Sequence, residues 1–561
     1  FNNGSISNNT TETYGGGIYV AGCQSFRITD GVISGNTAKN SNGGAIFLAS
    51  DAKNVNISGG EISNNTSSVR GGAIASATGF TISAGRIIGN TSNQGGGIYL
   101  SATTNSVVLS GGEVSGNKST DIGGGIYVLN GNLTIDGAEI KNNTSGSNGG
   151  GIDFDSSGQF TITSGKILDN KSALHGGGIC ALKGNLTIDG GEVSGNSITT
   201  SSGSGGGIYF SGQNLSILNG DILNNTSLAN GGALCASEVA DDGHTTVVEM
   251  SGGNITGNKA ELNGGGLYIS CGSFTFSEGV VSGNTAKTQH GGGLYLTTVA
   301  DNVTLSGGEI ISNTAPEGHG GGVYINGATI VDVTNGFIGR NSAVEGGGLY
   351  ANGGTISISG GDIVSNSGSR GGGIRLNGAA ALTFTGGNII SNSVTFEGGG
   401  FCIGGNSVCT FSNGVVSENI SGLGGGVYMK DNSQMTFSNG VIRNNKAIAN
   451  GSGYGTAYEN DKVRGAGGGI FITGNTNFTF NPNSSVGIYN NTADMVGDDL
   501  VKASANSSVV LPDVSTMVLT GYNSKTSELY WVEDYMTGDT GYSNGTAIAG
   551  ANYSAVRYRD A

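Results

Sequence analysis

A glycine triplet that returns about every 27 residues constrains this chain more than any other feature. Two glycines, then Gly or Ala, then an apolar residue begin at Gly15, Gly43, Gly71, Gly95, Gly123, Gly149, Gly176, Gly205, Gly231, Gly264, Gly291, Gly320, Gly346, Gly371, Gly398, Gly424 and Gly467. These seventeen copies place the sequence among solenoids and repeat arrays. Within residues 123–143 the unit reads GGGIYVL, NLTID and GAEIKNN, three extended segments too short for helices. Ile126 and Val128 alternate with Tyr127, and Leu133 and Ile135 with Thr134, which is the period of half-buried strands. Gly, Asn, Asp and Ser at the bends suit tight corners and left-handed backbone. Three strands per turn, each with one inward face, predict an all-β fold, a right-handed parallel β-helix solenoid of about 17 coils. At about 4.8 Å per coil it should run roughly 80 Å.

A second register supports the same coil. The pattern (I/V)-x-x-N places Asn at 9, 36, 65, 90, 117, 143, 170, 196, 225, 258, 284, 313, 341, 366, 392, 419 and 445. Asn36, Asn117, Asn143, Asn170, Asn196, Asn258, Asn284, Asn392 and Asn419 are thus expected in a stacked amide ladder. Each would bond its copies above and below and fix the register. Asn-x-Ser/Thr strings such as Asn132-Leu-Thr134 follow from the same composition and carry little weight as glycosylation signals.

Glycine makes up 110 of 561 residues, but not every third, and proline only 3, so a collagen helix is excluded. With 11% charged and 35% apolar residues the core must be narrow and repetitive. Lys plus Arg number 24 against 40 Asp plus Glu, a formal charge of −16, and no basic cluster follows a phosphate backbone. Nucleic acid is therefore not expected as a partner. Membrane insertion within this chain is not expected either, since no run of eighteen apolar residues occurs. The opening FNNGSISNNT lacks the basic and apolar regions of a signal peptide, so a signal or anchor is expected outside this chain.

The β-helix is expected over 1–494. It starts mid-coil, since Phe1 aligns with Phe437 of FSNGVIRNN, and this suggests a piece of a longer protein. Residues 495–561 hold Trp531 and a set of tyrosines and read as a C-terminal cap or the start of another module. Two insertions, SEVADDGHTT at 237–246 and the stretch 446–466, interrupt the period and are expected as loops on one face.

GGAI at 43–46 and 71–74, with the x-x-Asn register, resembles the repeats of chlamydial polymorphic outer-membrane proteins. The GGG(I/V)Y and GG-x-I-x-x-N pairs resemble still more the arrays of large bacterial cell-surface proteins described as right-handed β-helix or adhesin-like. The resemblance covers about residues 1–493 and implies an exported bacterial surface protein. The chain departs from the chlamydial pattern where Ile or Val replaces its Phe, as in Ile33-Ser-Gly-Asn36, and no membrane barrel pattern follows.

Candidate chemistry is sparse. No cofactor is implied. The six cysteines read as isolated thiols, because Cys180 and Cys235 fall two coils apart and Cys409 takes an inward position opposite in sense to Cys402. Asp153 and Asp155, projecting from one strand, are the best pair for acid–base work on a polysaccharide, with no basic partner or third carboxylate in view. His175, His290 and His319 precede glycine triplets, with Glu345 in the same place one coil on, a column read as solvated corners rather than a metal site. Glu61, Glu113, Glu139, Glu192, Asp221, Glu309 and Asp362, broken by Arg86 and Lys166, form an acidic stripe read as a solubility device.

The remaining recurrent position is the residue four after the start of each triplet. Nine of its seventeen occupants are Tyr, densest at Tyr268, Tyr295, Tyr324 and Tyr350. Facing outward, these rings would form an aromatic track for sugar rings, and the four are the expected ligand-binding residues. The sequence thus favours a non-enzymatic extracellular stalk or adhesin at a bacterial surface, its partner a host or bacterial glycan or a surface protein. The alternative is a β-helix polysaccharide lyase or hydrolase.

Overall fold

The computed structural model describes residues 1–238, 245–300, 302–327, 329–449, 465–480, 486–494, 497–504 and 506–510. At 103–105, 486 and the strands Gly521–Asn523, Glu528–Tyr530 and Tyr535–Thr537 it describes the backbone alone. Every regular element among these residues is a β-strand; all but the antiparallel pair Gly521–Asn523 and Glu528–Tyr530 are wound as a parallel β-solenoid of about 17 turns of about 27 residues. The chain divides into two compact units, Phe1–Ala286 and Lys287–Ala561. The interior of the inserted stretches, 239–244 and 450–464, lies outside the described residues, as do Trp531, Tyr542, Tyr553 and Tyr558.

In the first unit the strand after each triplet stacks in parallel on its copy. Ile18–Val20 pairs with Ile46–Leu48, and this with Ile74–Ser76. The second and third expected segments run as one strand in Val55–Ser63 and Phe80–Ile88, whose ladder slips at the glycine bend between them. A fourth element, not expected from the sequence, is a two-residue strand after each ladder Asn. Lys118–Ser119, Thr144–Ser145 and Lys171–Ser172 form one such run. Only two residues long, it gives no alternation from which a strand can be read.

The second unit repeats this architecture. Val323–Asn326, Leu349–Asn352 and Ile374–Asn377 pair in register. Its interior turns aromatic toward the later coils, where the rings of Phe384, Phe411, Phe437 and Phe480 follow one another at 4.8, 5.2 and 5.5 Å. Parallel pairing continues past residue 494: Ile470–Ile472 carries Leu500–Lys502, which carries Tyr535–Thr537.

The amide ladder is a saturated network. Asn143 donates its backbone and side-chain N–H to Oδ1 of Asn170, both at 3.0 Å, and its other amide hydrogen to the Val114 carbonyl at 2.9 Å. Its own Oδ1 accepts the same pair of bonds from Asn117. A buried Asn has two donors and two acceptor lone pairs, and here all four are used. The pattern recurs at Asn36, Asn117, Asn170, Asn196 and Asn258 in the first unit, where Asn284 accepts from Asn258. In the second unit Asn392 and Asn419 continue it. All nine are completely buried or within 1% of it.

The triplet follows from three different crowding limits. At Gly123 φ is +63°, and a side-chain carbon would lie 2.7 Å from Cβ of Tyr127. A carbon on Gly124 would overlap the Gly150 carbonyl oxygen of the next coil. The third position is looser: Ala45, Ala73 and Ala233 stand there, fully buried. Hence GGA replaces GGG in three of the seventeen copies, at Gly43, Gly71 and Gly231.

Candidate functional site

The backbone between the two-residue strand and the triplet folds back over the outward face of the first strand. The residue just before the triplet therefore covers the tyrosine position of a neighbouring coil. His175 lies 4.3 Å from the Tyr209 ring, His290 4.4 Å from Tyr324, and His319 4.7 Å from Tyr350, measured between ring centres. The Arg70 guanidinium sits 5.0 Å over Tyr99, and Ile122 packs on the cluster of Ala75, Tyr99 and Tyr127. Leu423 and Ala466 join Cys402, Tyr428 and Phe471 in one buried cluster. Each unit thus carries a seam of two interlocked columns outside its main core.

This seam corrects the expectation of an exposed aromatic track. Tyr295, Tyr324 and Tyr350 are 8%, 5% and 5% exposed, and Tyr268, in the first unit, is half-buried. Period-two alternation distinguishes the two faces of a strand, but not whether a later segment covers the outer one. The three tyrosines of the second unit stack nearly parallel, 5.0 and 5.2 Å apart. Burial raises the pKa of all three phenols, so they stay neutral. Asn377 donates to the Tyr350 hydroxyl at 3.1 Å.

Beside them His290 and His319 stack at 4.9 Å, and the His319 backbone N–H donates to Nδ1 of His290 at 3.1 Å. That bond places the His290 proton on Nε2. Burial, then the neighbouring His319, brings the His290 pKa down to about 4. Burial also lowers that of His319.

One coil on, the seam changes from rings to charges. Glu345 replaces the histidine and Arg375 the tyrosine. Glu345 accepts from Arg370 Nη1 at 2.9 Å and Arg375 Nε at 3.3 Å. Glu397 Oε2 lies 3.0 Å from both Arg370 Nε and Lys430 Nζ. The result is an alternating chain, Arg375, Glu345, Arg370, Glu397 and Lys430, with one surplus positive charge. Burial pushes the Glu345 carboxyl up, but Arg375 and Arg370 outweigh it and hold it below its ordinary value. Arg375 is buried and also donates to the carbonyls of Leu376 and Cys402. Nothing in the sequence distinguished Arg370, Glu397 and Lys430 from solvated charges. The signal available was that Glu345, Arg370 and Glu397 immediately precede triplets.

In the first unit Asp153 occupies the tyrosine position between Tyr127 and Cys180. It is fully buried, and neither carboxyl oxygen has a hydrogen-bond partner. Burial, then the charges of Asp155 and Asp121, raises its pKa well above the ordinary value. The sequence reading placed Asp153 and Asp155 together on the surface with no basic partner or third carboxylate. Instead Asp155 pairs with Lys183 at 2.9 Å, Asp121 is close enough to act on Asp153, and Asp153 itself is out of reach of solvent.

The histidine column and the acidic stripe also read differently in three dimensions. Ring stacking and the bond to Nδ1 engage His290 and His319, and Glu345 turns to arginine. Among the described residues no group of three or more His, Cys, Asp or Glu is placed to hold a metal. The stripe is a mixed ladder: Arg86 lies 3.3 Å from Glu61 and 3.6 Å from Glu113, while Lys141 reaches Glu113 at 3.4 Å and Glu139 at 2.7 Å. All six cysteines are free thiols, five of them buried, and burial pushes Cys235 and Cys409 up to about 12.

No protein-family model, curated protein or solved structure matches this chain.

Proposed function

We propose that the chain is a non-enzymatic stalk or adhesin segment of a bacterial cell surface. One observation carries the reading. The residues that recur from coil to coil, namely the ladder asparagines, the triplet glycines and the tyrosine position, are largely buried and engaged with each other. Apart from the stripe of paired charges, what faces solvent varies from coil to coil, so the repeat serves the scaffold and contacts with a glycan or protein partner fall to the variable outer positions. The likeness of the triplet arrays to bacterial surface proteins supports the setting.

The alternative, cleavage of a polysaccharide, has less support. A hydrolase needs a carboxylic acid that reaches the glycosidic oxygen and a second carboxylate across from it. Asp153 is sealed from solvent, and Glu345 and Glu397 are tied to Arg370. Incubation of the purified chain with uronate-rich and neutral glycans, with and without calcium, tests the proposal. The expected result is retention of glycan without release of reducing ends or unsaturated uronate. Turnover that disappears in Glu397→Gln would replace the stalk reading with the enzymatic one.

A further inference from the structure

An unpaired acid sealed inside a scaffold weakens it in proportion to its ionisation. Asp153 has no exposed surface and no hydrogen-bond donor, and the corner at Gly149 packs against the root of its side chain, where an added carbon would lie 2.7 Å from Cβ of Asp153. Four groups act on it. Tyr127 comes from Ile126–Lys141, Cys180 from Ile179–Ala181, Asp155 from the adjoining chain, and Asp121 from the segment before Gly123. Lys183 is held by Asp155, and among the described residues no cation pairs with Asp153. No partner therefore waits to receive a carboxylate in place.

We infer that Asp153 is a proton-operated latch of the first unit: loss of its proton is coupled to opening of the corner that covers it, which uncovers Tyr127 and Cys180. A bare carboxylate is strongly disfavoured in a dry site, so ionisation favours opening against the bonds that hold the corner, from the Gly149 N–H to the His175 carbonyl and from the Gly124 N–H to the Gly149 carbonyl. The raised pKa of the closed form agrees with this coupling. The sign follows from linkage. The closed state binds the proton and the open state releases it, so closure is strongest below the ordinary carboxyl range and weakens as pH rises toward the closed-state pKa. One proton per opening means about a tenfold rise in the open population per pH unit in that window.

Cys180 reports the opening, because it is completely buried beside Asp153. Alkylation of the intact chain by iodoacetamide is followed at Cys180 and Cys235 by mass spectrometry from pH 5 to 7. Rates are divided by those of Asp153→Asn, which removes the thiol's own pH dependence. The expected ratio at Cys180 rises with pH, by at most about tenfold per unit, and stays flat at Cys235. Asp153→Val replaces the reference if the amide variant does not fold. Asp155→Asn, which keeps the buried acid, should keep the slope. A ratio at Cys180 constant within about twofold, a parallel rise at Cys235, or loss of the slope in Asp155→Asn would each overturn the latch.

Discussion

Asn491 donates both its backbone N–H, at 3.2 Å, and its side-chain amide, at 2.8 Å, to Oδ1 of Asp499, which is buried at the end of the amide ladder. A carboxylate accepts this pair of bonds as an asparagine would, but has no amide hydrogens to pass on, so Asp499 receives the ladder and stops it. Asp499→Asn should keep both bonds and change stability little. Asp499→Leu strands two buried donors and should cost about 1–3 kcal/mol, read from chemical unfolding followed by hydrogen exchange at residues 486–494.

Crowding at the triplet predicts a contrast between adjacent glycines. A methyl on Gly16 would collide with the Gly44 carbonyl oxygen, whereas one on Gly17, at the position where Ala45, Ala73 and Ala233 stand in other coils, comes no closer than 3.1 Å to the Ala45 carbonyl oxygen. Gly16→Ala is expected to destabilise by at least about 2 kcal/mol and Gly17→Ala by less than about 1 kcal/mol in thermal or urea unfolding. Equal effects would show that the second and third positions are not distinguished by packing.

How far the sequence carries can be judged at particular positions. Ile126, Leu133 and Asn143 announced their inward faces, because each belongs to a pattern of fixed period and the fold is that period repeated. Tyr324 was misplaced on the surface because its cover, His290, lies 34 residues away and belongs to a different pattern. Glu397 and Asp499 gave no signal as single letters. Their roles depend on which charges or amides the winding stacks beside them. Asn491 did carry the ladder spacing, in Ile488-Tyr-Asn-Asn491, and its partner did not.

The stacked histidines give the second unit a defined acid sensitivity. His290 has a pKa of about 4 in the folded chain against an ordinary 6.5, so the unfolded chain binds its proton first as pH falls. The stability associated with the neutral ring is complete above pH 6.5 and is lost between 6.5 and about 4. His290→Phe keeps a ring against Tyr324 and should reduce the fall in melting temperature over that interval, the remainder coming from His319, while leaving the acid loss below pH 4.5, to which Glu345 contributes, in place. An unaltered profile would assign the sensitivity elsewhere.

The charged segment of the seam should be intolerant of losing one member. Removing the Arg375 side chain leaves Glu345 with Arg370 alone in a largely dry setting, and Arg375→Met is expected to cost about 3–5 kcal/mol. The double change Glu345→His with Arg375→Tyr restores the ring pattern of the preceding coils and should recover most of that loss. Unfolding of the two variants side by side checks both statements, and failure of the double variant to recover would mean the charged chain has a geometry that rings cannot replace.

Hydroxyl-radical footprinting of the tyrosines, read residue by residue by mass spectrometry on the folded chain, tests the central claim that the recurrent ring column is internal to the scaffold. Tyr14 and Tyr19, 45% and 55% exposed, should be modified readily, while Tyr324 and Tyr350, each 5% exposed, should be protected until the chain unfolds. Modification of Tyr324 and Tyr350 at the rate of Tyr19 would contradict the account and return the tyrosine column to the surface as a binding track.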